Sequence, residues 1–222
     1  GDTALEWLSC DGVDVSHALR SDGENNRPGL ILIDDNGNNT IISVQGDGHL
    51  LPFSEVEAHI KAYKGAKYFI TGFEIPAETA LGGAKLAHEM GIITILNPSP
   101  IHEGDLGDLS YIDILIPNEP ETKGLLGMDQ SAAVTPLEAA KAIMARYKVG
   151  AVVMTLGKDG VFAYDGKDSW TVEAMPVKVV NTIGAGDGFL GGFTYALTQG
   201  MDMGGAITIG NAVANNSVMR PG

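Results

Sequence analysis

Tyr68-Phe69-Ile70-Thr71-Gly72-Phe73-Glu74, the helical stretch at residues 77–90, and Ile92-Ile93-Thr94-Ile95-Leu96 together decide the fold class. Tyr68 to Thr71 reads as a buried strand, residues 77–90 as a helix stopped by Gly91, and residues 92–96 as a second strand. Strand, helix, strand at these lengths is a crossover unit that sets neighbouring strands parallel. The rhythm continues downstream. Residues 112–116 and 151–156 read as strands, residues 136–148 as a helix with Thr135 as its N-cap, and residues 161–164 with 169–173 as a hairpin. Helices over 185–198 and 204–219 close the chain. Upstream, residues 54–64 form a helix opened by a Ser54-x-x-Glu57 capping box. Residues 2–9 form a short amphipathic helix. Residues 29–34 and 40–45 flank the turn-rich Asp35-Asn36-Gly37-Asn38-Asn39 and make an early hairpin. The expected class is α/β: a mostly parallel sheet flanked by helices, with residues 1–222 as one domain and the 29–45 hairpin inserted in it.

Composition narrows the function. The 222 residues carry 14 basic and 28 acidic side chains, a net charge of −14. Such a surface repels phosphate backbones and anionic lipid, so nucleic acid and membrane surfaces are excluded as expected partners. No run approaches the ~18 apolar residues of a membrane span. The one cysteine, Cys10, can make no intrachain disulfide. This fits a reducing, cytoplasmic compartment, and Cys10 reads as partly buried and structural. The five histidines show no metal-ligand spacing and read as surface residues.

In parallel sheets, ligands sit beyond the carboxyl ends of the strands. The residues that follow the strands are therefore the candidates. Val179-Val180-Asn181-Thr182-Ile183-Gly184-Ala185-Gly186-Asp187 is the most informative stretch. A Gly-Ala-Gly turn leads into a helix, whose free N–H groups and dipole form an anion hole suited to a phosphate. Asp187 on the first helical turn is positioned to accept a proton from an attacking hydroxyl. The bland alternative is an acid that complements the helix dipole. Asn118-Glu119-Pro120-Glu121 follows a strand and starts a helix, where acids are favoured anyway; its functional reading is a sparse Mg²⁺ and phosphate site. Thr155-Leu156-Gly157 is either a plain strand exit or a phosphate-contacting loop. Glu74 is either a solvated acid or an acceptor for sugar hydroxyls.

Taken in order, Glu74, Asn97-Pro98-Ser99-Pro100, Asn118-x-x-Glu121, Thr155-Leu156-Gly157 and Gly184-Ala185-Gly186-Asp187 resemble the ribokinase-type sugar kinases of the PfkB family. The resemblance covers the whole chain and implies a Rossmann-like sheet with a small β-hairpin lid. It implies ATP-dependent phosphorylation of D-ribose at its 5-hydroxyl, with Mg²⁺. Asp187 would be the base, and the N–H groups of Gly184, Ala185 and Gly186 would hold charge on the transferred phosphoryl. Asn118, Thr155, Gly157, Gly184, Gly186 and Asn211 would line the ATP site, and Glu121 would hold Mg²⁺ through water. Glu74 and Asp187 would bind the sugar. Asn181 and Thr182 would lie beside a monovalent cation such as K⁺. The hairpin at residues 29–45 would be the lid and the contact of a homodimer. The other acceptors weighed are fructose, 2-keto-3-deoxygluconate and nucleosides, and a non-catalytic kinase-like binding subunit is the rival from another class.

Three departures accompany the resemblance. The family runs to roughly 300 residues and carries a sugar-binding first strand and a Gly-Gly-rich loop that have no counterpart here. The chain stops at Arg220-Pro221-Gly222, where the family continues into a loop that completes the nucleotide and cation sites. Asn181 stands where the family usually has Asp, which keeps an oxygen but loses a charge. The expectation is of a fragment that on its own is unstable or inactive.

Overall fold

Alternation along single strands shows how the molecule is layered. In the strand Ile93–Asn97, Ile95 enters one core cluster and Leu96 the other. Val152 and Met154 enter one and Val153 the other, and Phe162 is set against Val161 and Ala163 in the same way. Side chains alternate across a pleated sheet, so the two clusters lie on its two faces, each covered by helices. The computed structural model describes residues 1–20, 29–33, 39–43, 51–101 and 104–220. It divides into two compact units, Gly1–Leu51 and Pro52–Gly222.

The first unit holds α1 (Asp2–Cys10) and the antiparallel pair β1 (Gly29–Ile33) and β2 (Asn39–Ser43), with Leu30 opposite Ile42. The expected turn and the hairpin's outer ends, residues 34–38 and 44–45, lie outside the described residues. Cys10 is exposed, not partly buried as expected, because α1 buries none of its residues.

The second unit runs α2 (Phe53–Ala62), β3 (Tyr68–Gly72), α3 (Ala77–Glu89), β4 (Ile93–Asn97), β5 (Ile114–Leu115), α4 (Glu119–Leu126), α5 (Pro136–Tyr147), β6 (Ala151–Thr155), β7 (Val161–Tyr164), β8 (Ser169–Val172), α6 (Ala185–Thr198) and α7 (Met203–Ser217). The six strands pair in sequence order. β3 to β6 are parallel, and β7 and β8 are added antiparallel. On one face Ala80 and Ala84 of α3, Leu125 of α4, and Ile143 and Tyr147 of α5 pack with Leu96, Leu115 and Val152. On the other, Phe189 and Phe193 of α6 and Ile207 of α7 pack with Ile95, Ile116 and Val153. Truncating a fully buried side chain such as Phe193 to alanine costs about 3–5 kcal/mol.

Three expectations change. Pro52, in an extended conformation, is the N-cap of α2, so Ser54 lies inside the helix and the expected box with Glu57 does not form. β3 is an edge strand among the described residues, and Ile70 is 43% exposed, where a buried strand was expected. β5 keeps only two ladder residues. Just before it, Asp113 and Thr94 replace the ladder with side chains: the Thr94 N–H donates to Asp113 Oδ2 at 2.8 Å, and the Asp113 N–H donates to Thr94 Oγ1 at 3.0 Å. Among the described residues no helix is long and apolar enough to cross a membrane.

Candidate active site

The parallel strands end in register, which collects their following residues along one edge. Gly72 pairs with Asn97, and the Ile116 N–H donates to the Leu96 carbonyl at 2.8 Å. The Asn97 amide reaches the Ile116 carbonyl at 3.2 Å. The Thr155 N–H donates to the Pro117 carbonyl at 3.1 Å, and Asn118 and Thr155 form a parallel bridge beyond the named strands. Glu74 is exposed two residues past β3. Gly157 opens a single 3-10 turn with φ +55°, and that turn is closed by the Leu156 N–H on the Gly160 carbonyl at 2.8 Å.

α4 starts with a reciprocal cap. Asn118 Oδ1 accepts from the Glu121 N–H at 2.8 Å, and Glu121 Oε2 accepts from the Asn118 N–H at 2.9 Å. The spacing that reads as Asn-x-x-Glu is therefore also a capping box, and the functional and structural readings share the same atoms. Glu121 is only 4% exposed. Burial pushes its carboxyl above the usual carboxylate pKa; the Asn118 N–H, the Ser99 hydroxyl and the Asn118 side chain pull the other way.

The third element is the start of α6. Gly184, its N-cap, has φ +75°, a left-handed conformation that glycine adopts without cost. Asn181 Oδ1 accepts from the Ile183 N–H at 2.9 Å and shapes the turn. The first helical bond runs from the Gly188 N–H to the Gly184 carbonyl at 2.8 Å, and the Ala185 N–H makes a long bond of 3.3 Å to Thr182. Among the described residues, the N–H groups of Gly184, Gly186 and Asp187 have no acceptor. The N–H groups left free are thus those of Gly184, Gly186 and Asp187, with that of Ala185 partly spent on Thr182. Asp187 and Gly186 are exposed, and a Cβ on Gly186 would meet nothing within 4 Å. That open face can admit a phosphoryl group.

α7 anchors this turn. The Val218 carbonyl accepts from both the Val180 and Asn181 N–H groups, at 2.8 and 3.2 Å. Glycine lets the two helices approach closely: a Cβ on Gly192 would sit 2.8 Å from Val213 Cγ2, and one on Gly210 would sit 2.8 Å from Phe189 Cε2. Asn211 is buried; its amide donates to the Glu173 carbonyl at 2.9 Å, and its oxygen accepts from Asn215 at 3.2 Å. It is tied into the fold rather than presented on an open face. Hydrogen bonds and the Asn118–Thr155 bridge therefore join Asn118, Glu121 and Thr155 in one group, while hydrogen bonds within residues 181–185 shape the turn that leads to Asp187. Sequence reading missed Ser99 and Val218. Ser99 lay inside a quoted motif without a role, and the Val218 carbonyl leaves no side-chain signal.

Free N–H groups and a carboxylate on one helical turn, with strand-end residues along one edge of a parallel sheet, are a combination that α/β phosphoryl-transfer enzymes use. The chain belongs to the pfkB family of carbohydrate kinases, which it matches over residues 1–222. It is 31% identical to a ribokinase of Lactococcus lactis subsp. lactis, over 86% of this chain and 60% of that protein. It is also 31% identical to a bifunctional ribokinase/ribose-5-phosphate isomerase A of Fructilactobacillus sanfranciscensis, over 87% of this chain and 36% of that protein. The chain thus spans 36% and 60% of the length of these two curated relatives. Its fold superimposes on a ribokinase from Thermotoga maritima with a TM-score of 0.82, at 28% identity, covering 100% of this chain and 71% of that one. A fructokinase from Vibrio cholerae shares the fold with a TM-score of 0.77, at 20% identity, covering 100% of this chain and 76% of that one.

Proposed function

We propose that the protein transfers the γ-phosphoryl group of ATP to the 5-hydroxyl of D-ribose. The observation that carries this reading is the start of α6, where Asp187 shares one turn with the unbonded N–H groups of Gly184, Gly186 and Asp187. Asp187 takes the hydroxyl proton, the oxygen attacks the γ-phosphorus, and the bond to ADP breaks. The N–H groups meet charge on the transferred group, and holding the partners in line supplies most of the acceleration. Glu74 holds sugar hydroxyls, and Asn118, Thr155 and Gly157 lie along the edge that takes the nucleotide.

The donor set suits a sparsely held Mg²⁺. Glu121 is one buried carboxylate fixed by Asn118, and no group of three ligating side chains occurs among the described residues. Such a site holds the ion through water, and bound Mg²⁺ offsets phosphate charge. For K⁺ the fit is poorer. Asn181 Oδ1 is turned onto the Ile183 N–H, so no step is assigned to a monovalent cation. Leu30, Leu32 and Ile42 are exposed on the hairpin, which supports its expected use as a lid and dimer contact. A cytoplasmic location is part of the same reading.

The test is ADP release by the full-length protein with ribose, 2-deoxyribose, fructose and a nucleoside as acceptors, with the product position read by phosphorus NMR. Highest kcat/KM for ribose, with a 5-phosphate product, is expected. A better rate with fructose or a nucleoside moves the assignment to that acceptor. Transfer to none of them leaves the binding-subunit reading in its place.

A further inference from the structure

Asn97 is a polar residue in an apolar row. In β4, Ile95 faces the cluster under α6 and α7 and Leu96 faces the opposite one. Asn97, the last residue of the strand, therefore returns to the α6 and α7 face. The pairing of Leu96 with Leu115 brings Ile116 beside Asn97, and the pairing of Leu115 with Val152 brings Val153 beside Ile116. Ile116 and Val153 both belong to the α6 and α7 cluster. On the other side the register partner of Asn97 is Gly72, which carries no side chain.

The start of α6 stands at the same end of this face. β8 is antiparallel to β7, and β7 to β6, so β8 runs parallel to β3–β6. α7 follows β8 in the same direction. A Cβ on Gly204 would sit 3.0 Å from Trp170 Cδ1, and further along Asn211 donates to the Glu173 carbonyl, just past the strand. The tail of α7 is therefore at the carboxyl ends of the strands, where its Val218 carbonyl holds Val180 and Asn181. Phe189 of α6 packs in the cluster of Ile95 and Ile116. The Asp187 turn and Asn97 thus share one face and one edge of the sheet.

Half of the Asn97 amide has a structural task. In a parallel ladder the Ile116 N–H bonds the Leu96 carbonyl, as it does here at 2.8 Å, and the Ile116 carbonyl takes the N–H of residue 98. Residue 98 is proline and has no N–H. Asn97 supplies the missing donor, one amide N–H reaching the Ile116 carbonyl at 3.2 Å. Its second N–H and its oxygen remain. Among the described residues neither has a partner, and Asn97 is only half-buried, so both are within reach of a ligand.

We propose that Asn97 is a further catalytic residue, which donates its second amide N–H to an oxygen of the transferred phosphoryl group. The proposal rests on the kinase reading, which puts the acceptor beside Glu74 beyond β3 and the nucleotide along Asn118 and Thr155 beyond β5 and β6. β4 lies between them in the sheet, so the group that passes from one to the other crosses its end. A neutral donor already fixed by the backbone meets charge there without reorganising.

The test, on the full-length protein, removes the structural task first. Pro98→Ala restores a backbone N–H for the Ile116 carbonyl, and Asn97→Ala is then added to it. The double variant is expected to melt close to Pro98→Ala, with kcat lower by about 10²-fold. KM for ATP and for ribose stays within about threefold. Affinity for ADP with Mg²⁺, aluminium fluoride and ribose, a mimic of the group in transfer, falls in parallel, while affinity for ADP alone does not. A kcat within about threefold of the Pro98→Ala value overturns the proposal, and so does a loss confined to KM. If Pro98→Ala does not fold, Asn97→Asp, which has the same shape but no amide protons, is compared with the unchanged protein. It loses kcat in the same way with KM held, and a retained kcat overturns the proposal. An unchanged protein that transfers phosphate to no acceptor overturns the kinase reading itself, a result distinct from a loss in the variants alone.

Discussion

Thr155 is held beside Asn118 because its N–H donates to the carbonyl of Pro117, the residue before Asn118, at 3.1 Å. The bond extends the β5–β6 pairing past the two-residue β5 strand. It places a hydroxyl side chain next to the cap of α4. One backbone bond thus aligns two strand ends and the helix start between them.

Asn118→Ala removes the side-chain acceptor of the Glu121 N–H. Loss of about 1 kcal/mol in stability is expected from the missing cap, with a 10- to 100-fold loss of activity from the loosened carboxylate. Asn118→Ser caps the helix again and recovers the stability but not the activity. Thermal unfolding and steady-state kinetics of the full-length protein separate the two effects. Full recovery of both by serine would falsify a role for Asn118 beyond capping.

Asp187→Asn keeps the shape of the α6 start and removes the proposed base. A fall in kcat of about 10²- to 10⁴-fold is expected, with nucleotide affinity and melting temperature nearly unchanged because the side chain is exposed. Calorimetry alongside initial rates checks this. A variant that retains most of its kcat leaves Asp187 as a dipole-complementing acid.

Gly184→Ala and Gly186→Ala separate strain from access. At Gly184 a Cβ has room, its nearest neighbour being Ser217 Oγ at 3.9 Å, but φ is +75°. A loss of about 1–2 kcal/mol is expected from backbone strain. At Gly186 nothing crowds the Cβ and the residue is helical, so stability holds or rises by about 0.5–1 kcal/mol. Its activity is nevertheless expected to fall, because the methyl group occupies the open face proposed to take the phosphoryl group. Chemical denaturation and kcat/KM measured on both variants decide the matter.

Asp108 offers a pH test away from the site. The hydrogen bond from Lys148, then those from Ser110, lower its carboxyl to about 2 from the ordinary 3.8. A carboxylate depressed in the fold stabilises it above the unfolded value, and that contribution is lost as pH falls from 3.8 through about 2. Lys148→Met moves the Asp108 titration upward toward 3.8, measured by carboxyl carbon NMR. A midpoint that stays near 2 removes Lys148 as the main cause.

The layered sheet was legible because its strands are short apolar runs separated by helices with clear stops. Gly91 and the Thr135 cap mark two of those boundaries. The α6 start was legible because Gly-Ala-Gly-Asp combines small residues with an acid in a few positions. The ends of the elements were harder to read. Ser54 and Glu57 have the spacing of a cap, but an extended Pro52 starts α2 one residue earlier. β5 was read as five residues, because no local pattern shows that the side chains of Asp113 and Thr94 stand in for ladder bonds. The exposure of Ile70 depends on which strand lies beyond β3, a question its own apolar sequence does not answer. The Ala185 amide was counted as free, and only the path of the turn shows it spent on Thr182.

The double grip of the Val218 carbonyl on Val180 and Asn181 has a mechanical consequence. With the close glycine contacts along α6 and α7, it makes the turn before α6 and the tail of α7 behave as one lever. A substitution, truncation or bound partner at residues 218–220 therefore acts on the turn proposed to meet the phosphoryl group, without touching any residue of that turn.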